Sequence, residues 1–146
     1  MERIAPSSTD ALKVVQRLLE STNRHDPAAL AGCFAADYVN ETPLHPARGF
    51  TGREQVHSNW VQIFAAVPDL AARLLATAVD GDRIWSEWQM EGVRQDGSQH
   101  ELAGIIVFTV REDCITAARF FLEPVDHRSG TVSEAVRRQL EGAPRS

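Results

Sequence analysis

The sequence predicts an α+β fold, in which helices pack on one face of a sheet. Before Pro68 the apolar residues recur mostly at helical spacing. Beyond it, apolar segments are separated by turn-type clusters, "DGD" at 80–82, "QDGS" at 95–98 and "RED" at 111–113. The 146 residues, of which 43% are hydrophobic, suffice for one core. We therefore expect a group of helices followed by a long antiparallel meander.

Two helices are predicted in the first part of the chain, after a flexible tail of residues 1–8. The first begins at Thr9 and is expected to end near "NRHDP". Its apolar face consists of Ala11, Val14, Val15, Leu18 and Leu19. Asp26 is expected to cap a second helix, with Pro27 at the first position, where no backbone N–H is needed. This short helix is predicted to continue through 28–34.

A short strand, Tyr38–Glu41, is predicted to lead into a proline-rich loop and a third helix. "TGRE", Thr51–Glu54, has the spacing of a capping box, in which threonine and glutamate each bond a free helix N–H. The apolar residues of this helix follow at helical spacing, and Pro68 ends it: Val56, Trp60, Ile63, Phe64 and Val67.

Four strands are predicted, at roughly 70–79, 83–94, 99–110 and 115–123, and "SEAVRRQLEG" predicts a last amphipathic helix. In "GIIVF", Gly104–Phe108, neighbouring side chains point to opposite faces of the sheet, yet all are apolar. The outer face is therefore expected to be covered. A homodimer through this face is the favoured prediction, and a C-terminal segment, 126–146, that folds back is the alternative.

Composition and charge exclude several classes of function. Net charge is −5, the 15 basic residues are scattered and Lys13 is the only lysine, so we expect no nucleic-acid partner. The longest apolar run, "LAGIIVF", is too short to cross a bilayer, and "MERIAPSSTD" lacks a signal pattern, so we expect a soluble cytoplasmic protein without a membrane partner. Cys33 and Cys114 are expected to be unrelated buried thiols, and no histidine pair has metal-ligand spacing.

An ordered series of motifs resembles the SnoaL-like polyketide cyclase branch of the nuclear transport factor 2-like superfamily. It comprises "VVQRLLESTNRHDPAALAGCFAADYVNETP", "GFTGREQV", "VPDL", "DRIWSEWQMEG" and "VFTVREDCITAARFF". The resemblance implies one domain over residues 9–125, a cone-shaped α+β barrel whose strongly curved, mostly antiparallel sheet wraps around three N-terminal helices. It also implies an apolar pocket for a small ligand and no cofactor. Relatives include ketosteroid isomerase, limonene epoxide hydrolase and scytalone dehydratase.

The catalytic residues of these relatives are missing at the corresponding positions of this chain. The tyrosine, the base and the second oxyanion partner of ketosteroid isomerase correspond to Leu18, Thr42 and Ile106. The arginine and aspartate of the epoxide hydrolase correspond to Trp88 and Met90, and its last acid to Phe120. Both reactions need a carboxylate in the pocket. The resemblance therefore argues against these two activities while predicting the pocket-lining positions, which are Leu18, Tyr38, Trp60, Phe64, Trp88, Met90, Ile106 and Phe120.

"YVNETPLHP", residues 38–46, holds the best remaining candidates for chemistry. In the cyclase branch the position of Glu41 is often a histidine, so Glu41 is expected on the pocket wall or rim. Near Tyr38, Trp60 and Met90, desolvation would raise its pKa and make it a base near neutral pH. His45 is expected to fold back towards Glu41 as an acid–base partner. Asn40 would then point to the opposite face.

Two functions remain open at this point. The first is a cofactor-independent cyclase or isomerase that acts on an apolar, carbonyl-bearing compound, with Glu41 as acid–base group. The second is a binding protein that holds an apolar ligand in the same pocket without catalysis. The second predicts that apolar atoms line the cavity and that Glu41 faces solvent.

Overall fold

The computed structural model describes residues 8–128 and 130–142 of the chain. The helices are α1 (Ser8–Asn23), α2 (Pro27–Ala31), α3 (Arg53–Ala66) and α4 (Val132–Leu140), with a 3₁₀ turn at Pro46–Arg48. The strands are β1 (Phe34–Glu41), β2 (Phe50–Thr51), β3 (Ala71–Asp80), β4 (Arg83–Val93), β5 (Gln99–Arg111) and β6 (Cys114–Pro124). Apart from Ser8, which belongs to α1, the tail predicted for residues 1–8 lies outside the described residues.

Helix α2 begins as predicted but ends earlier. Asp26 caps α2, because its side chain accepts a hydrogen bond from the backbone N–H of Ala29 at 3.0 Å, and Pro27 occupies the first position. The helix ends at Ala31, however, and Phe34 already begins β1. The extension of α2 through residue 34 is therefore wrong, and the first strand is longer than predicted.

The capping box predicted at Thr51–Glu54 is also wrong. Thr51 lies in β2, where it pairs with Val39 of β1. Gly52 takes the N-cap position of α3 with φ of 107°, a conformation that favours glycine. A capping box does occur at α4, where the Thr131 hydroxyl accepts from the Glu134 N–H at 3.1 Å.

One six-stranded sheet carries the fold, in the order β2-β1-β6-β5-β4-β3. The strands β3 to β6 form the predicted antiparallel meander, and only the β1–β6 pairing is parallel among the described strands. The α+β, mostly antiparallel prediction is confirmed. The sheet is open, with β2 and β3 at its edges, and irregularities in β1, β3 and β5 bend it.

The two faces of the sheet differ in burial. Along β4, Ile84, Ser86, Trp88 and Met90 are buried, and the residues between them are less buried or exposed. The buried side chains of the sheet join those of α1, α2 and α3 in a single core. Trp88 therefore lies inside and Trp85 outside, as the strand register predicts.

The outer face and α4 remain uncovered in this chain. Trp85 is 46% exposed, and Leu75 and Val39 are also exposed. No described residue of α4 is buried, and its apolar residues Val132 and Leu140 are 81% and 80% exposed. The back-folding alternative is thus not adopted by α4 here. None of the described helices combines the length and the apolar composition needed to cross a membrane.

Candidate functional site

A cavity of about 310 Å³ lies between the inner face of the sheet and α3. Apolar and aromatic side chains form most of its wall: Phe34, Tyr38, Phe50, Val56, Trp60, Ile63, Leu70, Met90, Leu102, Phe120 and Leu122. The polar residues that line it are Asn40, Thr42, Arg48, Asn59 and His100. It therefore has the composition of a small-molecule site, mostly apolar with a few polar groups.

A polar row on β1 crosses this wall. Tyr38, Asn40 and Thr42 share one face of the strand because side chains alternate. The Tyr38 hydroxyl donates to Oδ1 of Asn40 at 2.7 Å, and Nδ2 of Asn40 contacts the Thr42 hydroxyl at 3.4 Å. Burial raises the pKa of Tyr38, so its hydroxyl stays protonated. The Asn40 oxygen thus accepts from Tyr38, one N–H of its amide donates to Thr42, and the second N–H remains as a donor for the cavity.

His100 on β5 adds a second polar group. Nη2 of Arg94 lies 3.2 Å from Nδ1 of His100 and donates to it. Burial, and next the nearby Arg94 charge, lower the pKa of His100 below its ordinary value. The ring is therefore neutral at pH 7, and with Nδ1 accepting, Nε2 carries the proton. A neutral imidazole of this kind can donate a hydrogen bond to a carbonyl.

Four of the eight predicted ligand contacts line the cavity: Tyr38, Trp60, Met90 and Phe120. Leu18 and Phe64 are in the core but do not reach the cavity wall. The Phe64 ring stacks on His25 with centroids 4.4 Å apart. The structure therefore does not place these two residues on the cavity wall, where they had been expected.

Trp88 and Ile106 also belong to the core rather than to the cavity wall. The Trp88 indole N–H donates to the Ser86 hydroxyl at 2.7 Å, and that hydroxyl donates to the Ile106 carbonyl at 2.6 Å. Trp88 is 1% exposed. Its N–H is thus used within the fold.

The placement of Glu41 on the cavity wall is wrong. Its side chain is 59% exposed, and Oε2 lies 3.5 Å from Nε of Arg119 on the neighbouring strand β6. Because Tyr38 faces inwards, alternation turns Asn40 inwards and Glu41 outwards. Asn40, which had been expected on the opposite face, occupies the wall instead.

His45 does not reach Glu41. Its Nε2 lies 3.0 Å from Oε1 of Glu123, near the end of β6, and both side chains are about one third exposed. Neither residue lines the cavity. The structure therefore brings His45 to a different carboxylate from the one expected, outside the cavity.

Asn40, Asn59 and His100 were missed as site residues. Strand alternation could have found two of them, since Asn40 lies two residues from Tyr38, and His100 shares its parity with Leu102 and Ile106 on β5. Asn59 precedes Trp60 on α3, and nothing in the sequence distinguishes it. Across residues 8–128 and 130–142, no three histidine, cysteine or acidic side chains are arranged to hold a metal ion.

A family model described as a SnoaL-like domain matches residues 15–118. No curated protein matches the chain. Solved structures do, and one is an LEH-like epoxide hydrolase of Mycobacterium tuberculosis, with a TM-score of 0.69 and 17% identity. That match covers 81% of this chain and 86% of the other.

Two further structures are similar. The epoxide hydrolase/cyclase-like enzyme SalBIII, with a role in pyran ring formation in the polyether salinomycin, matches with a TM-score of 0.70 and 16% identity, over 80% of this chain and 93% of the other. RV0760c from Mycobacterium tuberculosis, in complex with estradiol-17beta-hemisuccinate, matches with a TM-score of 0.66 and 22% identity, over 77% and 92%. At these identities, the likeness concerns the fold.

Proposed function

We propose that this protein, which belongs to the SnoaL-like domain family, binds a small, mostly apolar molecule through a carbonyl or a similar acceptor group. The observation that carries the proposal is the cavity wall, which is apolar apart from a few polar groups. Its volume of about 310 Å³ is near the lower end of the ligand-site range of roughly 300–1,000 Å³. A ligand of one or two fused rings fits that space.

The polar groups of the wall favour a ligand that accepts hydrogen bonds. Tyr38 donates to the amide oxygen of Asn40, so the Asn40 nitrogen is the group left for a ligand. The amide oxygen of Asn59 likewise accepts from Gln55 at 2.7 Å, which leaves its nitrogen. His100 offers Nε2–H because Nδ1 accepts from Arg94. Three donors on an apolar wall suit a ketone, an ester or a carboxylate.

The charges around the cavity disfavour amines. No carboxylate is among the described lining residues, Arg48 lies on the wall, and Arg94 stands behind His100. A protonated amine would lose its hydration there without gaining a counter-charge. We therefore expect selectivity for neutral or anionic ligands over cationic ones of the same shape.

The proposal is tested with three probes of nearly equal shape: acetylnaphthalene, ethylnaphthalene and naphthylethylamine. We expect isothermal titration calorimetry to show that the ketone binds on the order of 10-fold tighter than the hydrocarbon, equivalent to about 1.4 kcal/mol. The amine should bind more weakly than either. Tighter binding of the amine, or equal binding of all three, would contradict the proposal.

Two variants test which side chains cause the preference for the ketone. His100→Phe and Asn40→Ala each remove a donor from the wall and should reduce the preference for the ketone over the hydrocarbon. Glu41→Gln serves as the matched control, because the Glu41 side chain faces away from the cavity, and it should leave all three affinities unchanged. Circular dichroism of each variant checks that the fold is retained.

A second candidate function is a cofactor-independent cyclase or isomerase. The neutral His100 ring favours it, since Nε2–H and the Asn40 amide are donors of the kind that stabilise an enolate oxygen. Glu41 is not its base, because its carboxylate is on the outer face. The substrate would be a dicarbonyl compound whose carbon-bound proton is acidic enough to pass to water.

Deuterium exchange of benzoylacetone, followed by proton NMR, tests this second candidate. A catalyst of this kind accelerates exchange of the carbon-bound protons, and His100→Phe should remove most of the acceleration. Glu41→Gln should retain it. Binding without acceleration would support the carrier function and contradict the enzymatic one.

The homodimer through the outer face is also a proposal. Trp85, Leu75 and Val39 expose apolar surface there, and Ile105 and Phe121 are half-buried beside an open groove. A second copy would bury this surface. Light scattering after gel filtration should give twice the mass of the chain, and Trp85→Glu should give the monomer. A monomeric wild type would refute it.

A further inference from the structure

Two cysteines that are 81 positions apart in the sequence are neighbours in the fold. Cys33 directly precedes β1, and Cys114 is the first residue of β6. Phe34 pairs with Ile115 in the parallel ladder, and the Ile115 N–H donates to the Cys33 carbonyl at 2.8 Å. Cys33 and Cys114 each come one residue before this pair, so they lie next to each other where the two strands begin. The sequence alone gave no reason to expect this proximity.

The pairing fits the geometry of a disulfide. Neighbouring strands lie about 4.8 Å apart, within the range of roughly 4.4–6.8 Å between the Cα atoms of bridged cysteines. Cys33 is in the turn that enters β1, so its side chain is not fixed by the alternation of a strand. Neither thiol is in a disulfide in the structure, and the Cys33 thiol donates to the Ala29 carbonyl at 3.6 Å, a bond that the Cys33 side chain would give up on turning towards Cys114. Forming the bond would thus ask for little movement of the backbone.

The surroundings give a small oxidant access to the pair. Cys114 is half-buried, in contrast to the buried side chain that was expected. Cys33 is buried but lines a surface cavity of about 340 Å³ with Arg17, Ser21 and Arg24. Nη2 of Arg17 donates to the carbonyl of Asp113 at 3.0 Å, which holds a positive charge beside the pair.

The electrostatics distinguish the two sulfurs. Burial raises the pKa of Cys33, the Arg17 charge opposes this rise, and Cys114 adds to it. Cys114, the more exposed of the two, is the sulfur that meets the oxidant first.

We propose that Cys33 and Cys114 form a reversible disulfide when the protein meets hydrogen peroxide. The Cys114 thiolate attacks one peroxide oxygen, the O–O bond breaks, and sulfenic acid and water result. The Cys33 sulfur then attacks the Cys114 sulfur, the S–S bond forms, and the S–O bond breaks to release a second water. Two thiols are oxidised and one peroxide is reduced to two waters. A dithiol reverses the change by exchange.

The consequence is a covalent link between β1 and β6, whose inner faces supply Tyr38, Asn40, Phe120 and Leu122 to the cavity. The link closes a loop that includes α3 and the strands β1 to β5, so the unfolded chain is strongly restricted. We expect oxidation to raise Tm by an amount on the order of 10 °C, and dithiothreitol to restore the original value.

Intact mass spectrometry of the full chain, before and after hydrogen peroxide, tests the proposal. The expected result is a loss of two hydrogen masses, with Cys33 and Cys114 recovered in one cross-linked peptide after digestion without reductant. A gain of one to three oxygen atoms in place of that loss would overturn it. So would a doubled mass, which indicates a bond between two chains.

Two variants serve as controls. Cys114→Ser and Cys33→Ala each leave one thiol, so neither should lose two hydrogens or gain in Tm on oxidation. Should Cys33→Ala fail to fold, Cys114→Ser gives the same readout, because Cys114 is only half-buried. A rise of Tm in Cys114→Ser equal to that of the wild type would contradict the assignment.

Discussion

Replacing Ser86 by alanine is expected to lower the free energy of unfolding by about 2–3 kcal/mol. The Ser86 hydroxyl is buried between two partners, since it accepts from the Trp88 indole N–H at 2.7 Å and donates to the Ile106 carbonyl at 2.6 Å. Alanine leaves the indole N–H without an acceptor at a site closed to water. The orphaned indole N–H is a single neutral donor, so we expect about 1–2 kcal/mol for it, in the lower half of the usual range, and the second hydrogen bond adds about 1 kcal/mol.

The reasoning also predicts how the cost depends on Trp88. In a Trp88→Phe background the indole donor is absent, so Ser86→Ala removes only the bond to Ile106 and should cost about 1 kcal/mol. The difference, about 1–2 kcal/mol, is the coupling energy of the two side chains. Urea unfolding followed by circular dichroism gives all four values of the cycle.

A matched control is Ser58→Ala on the exposed surface of α3, which should change the free energy of unfolding by less than about 0.5 kcal/mol. The reasoning is refuted if Ser86→Ala costs under about 0.5 kcal/mol, or if it costs the same with and without the indole. Either result would mean that the Trp88 N–H is free for another acceptor, as it would be in a ligand-contacting tryptophan.

Three other perturbations have defined outcomes. Gly104→Ala should abolish soluble expression or lower Tm sharply, because its Cβ would lie 2.1 Å from the Phe121 carbonyl oxygen at φ of 149°; normal expression would contradict this. Asn23→Ala should cost about 2 kcal/mol in urea unfolding, because the amide bonds both the N–H and the carbonyl of Ala72, at 2.7 and 3.0 Å. Folding lowers the pKa of His100, so below about pH 6.5 the unfolded chain binds more protons than the folded one. The free energy of unfolding should therefore fall as the pH drops from 7 to 5. His100→Gln should remove part of that slope, and an unchanged slope would contradict the assignment.

Most of the fold was predictable from the sequence because it follows from local rules. The "DGD", "QDGS" and "RED" clusters separate the four long strands as expected, and each predicted boundary is within one residue or two of the observed one. The cap at Asp26 depends on one side chain and its own helix. The start of α3 was missed because Thr51 is engaged by β1, a partner that is remote in the chain.

The site was less predictable, since it depends on which way one strand faces. Tyr38 and Glu41 were both assigned to the cavity, but they are three residues apart and a regular strand directs them to opposite faces. Applying alternation from Tyr38 would have selected Asn40. The role of His100 as a neutral hydrogen-bond donor could not be predicted from the neighbouring sequence. It depends on the hydrogen bond from Arg94 and on the burial of the ring, which lowers its pKa.

The three tryptophans of the chain occupy three distinct environments, and this gives the protein a set of built-in optical reporters. Trp60 lines the cavity, Trp85 projects from the outer face, and Trp88 is sealed in the core. Fluorescence from three variants, each of which keeps one indole, would report separately on cavity occupancy, contact between copies and global unfolding. The emission maximum should be at the longest wavelength for the exposed Trp85 and at the shortest for the buried Trp88.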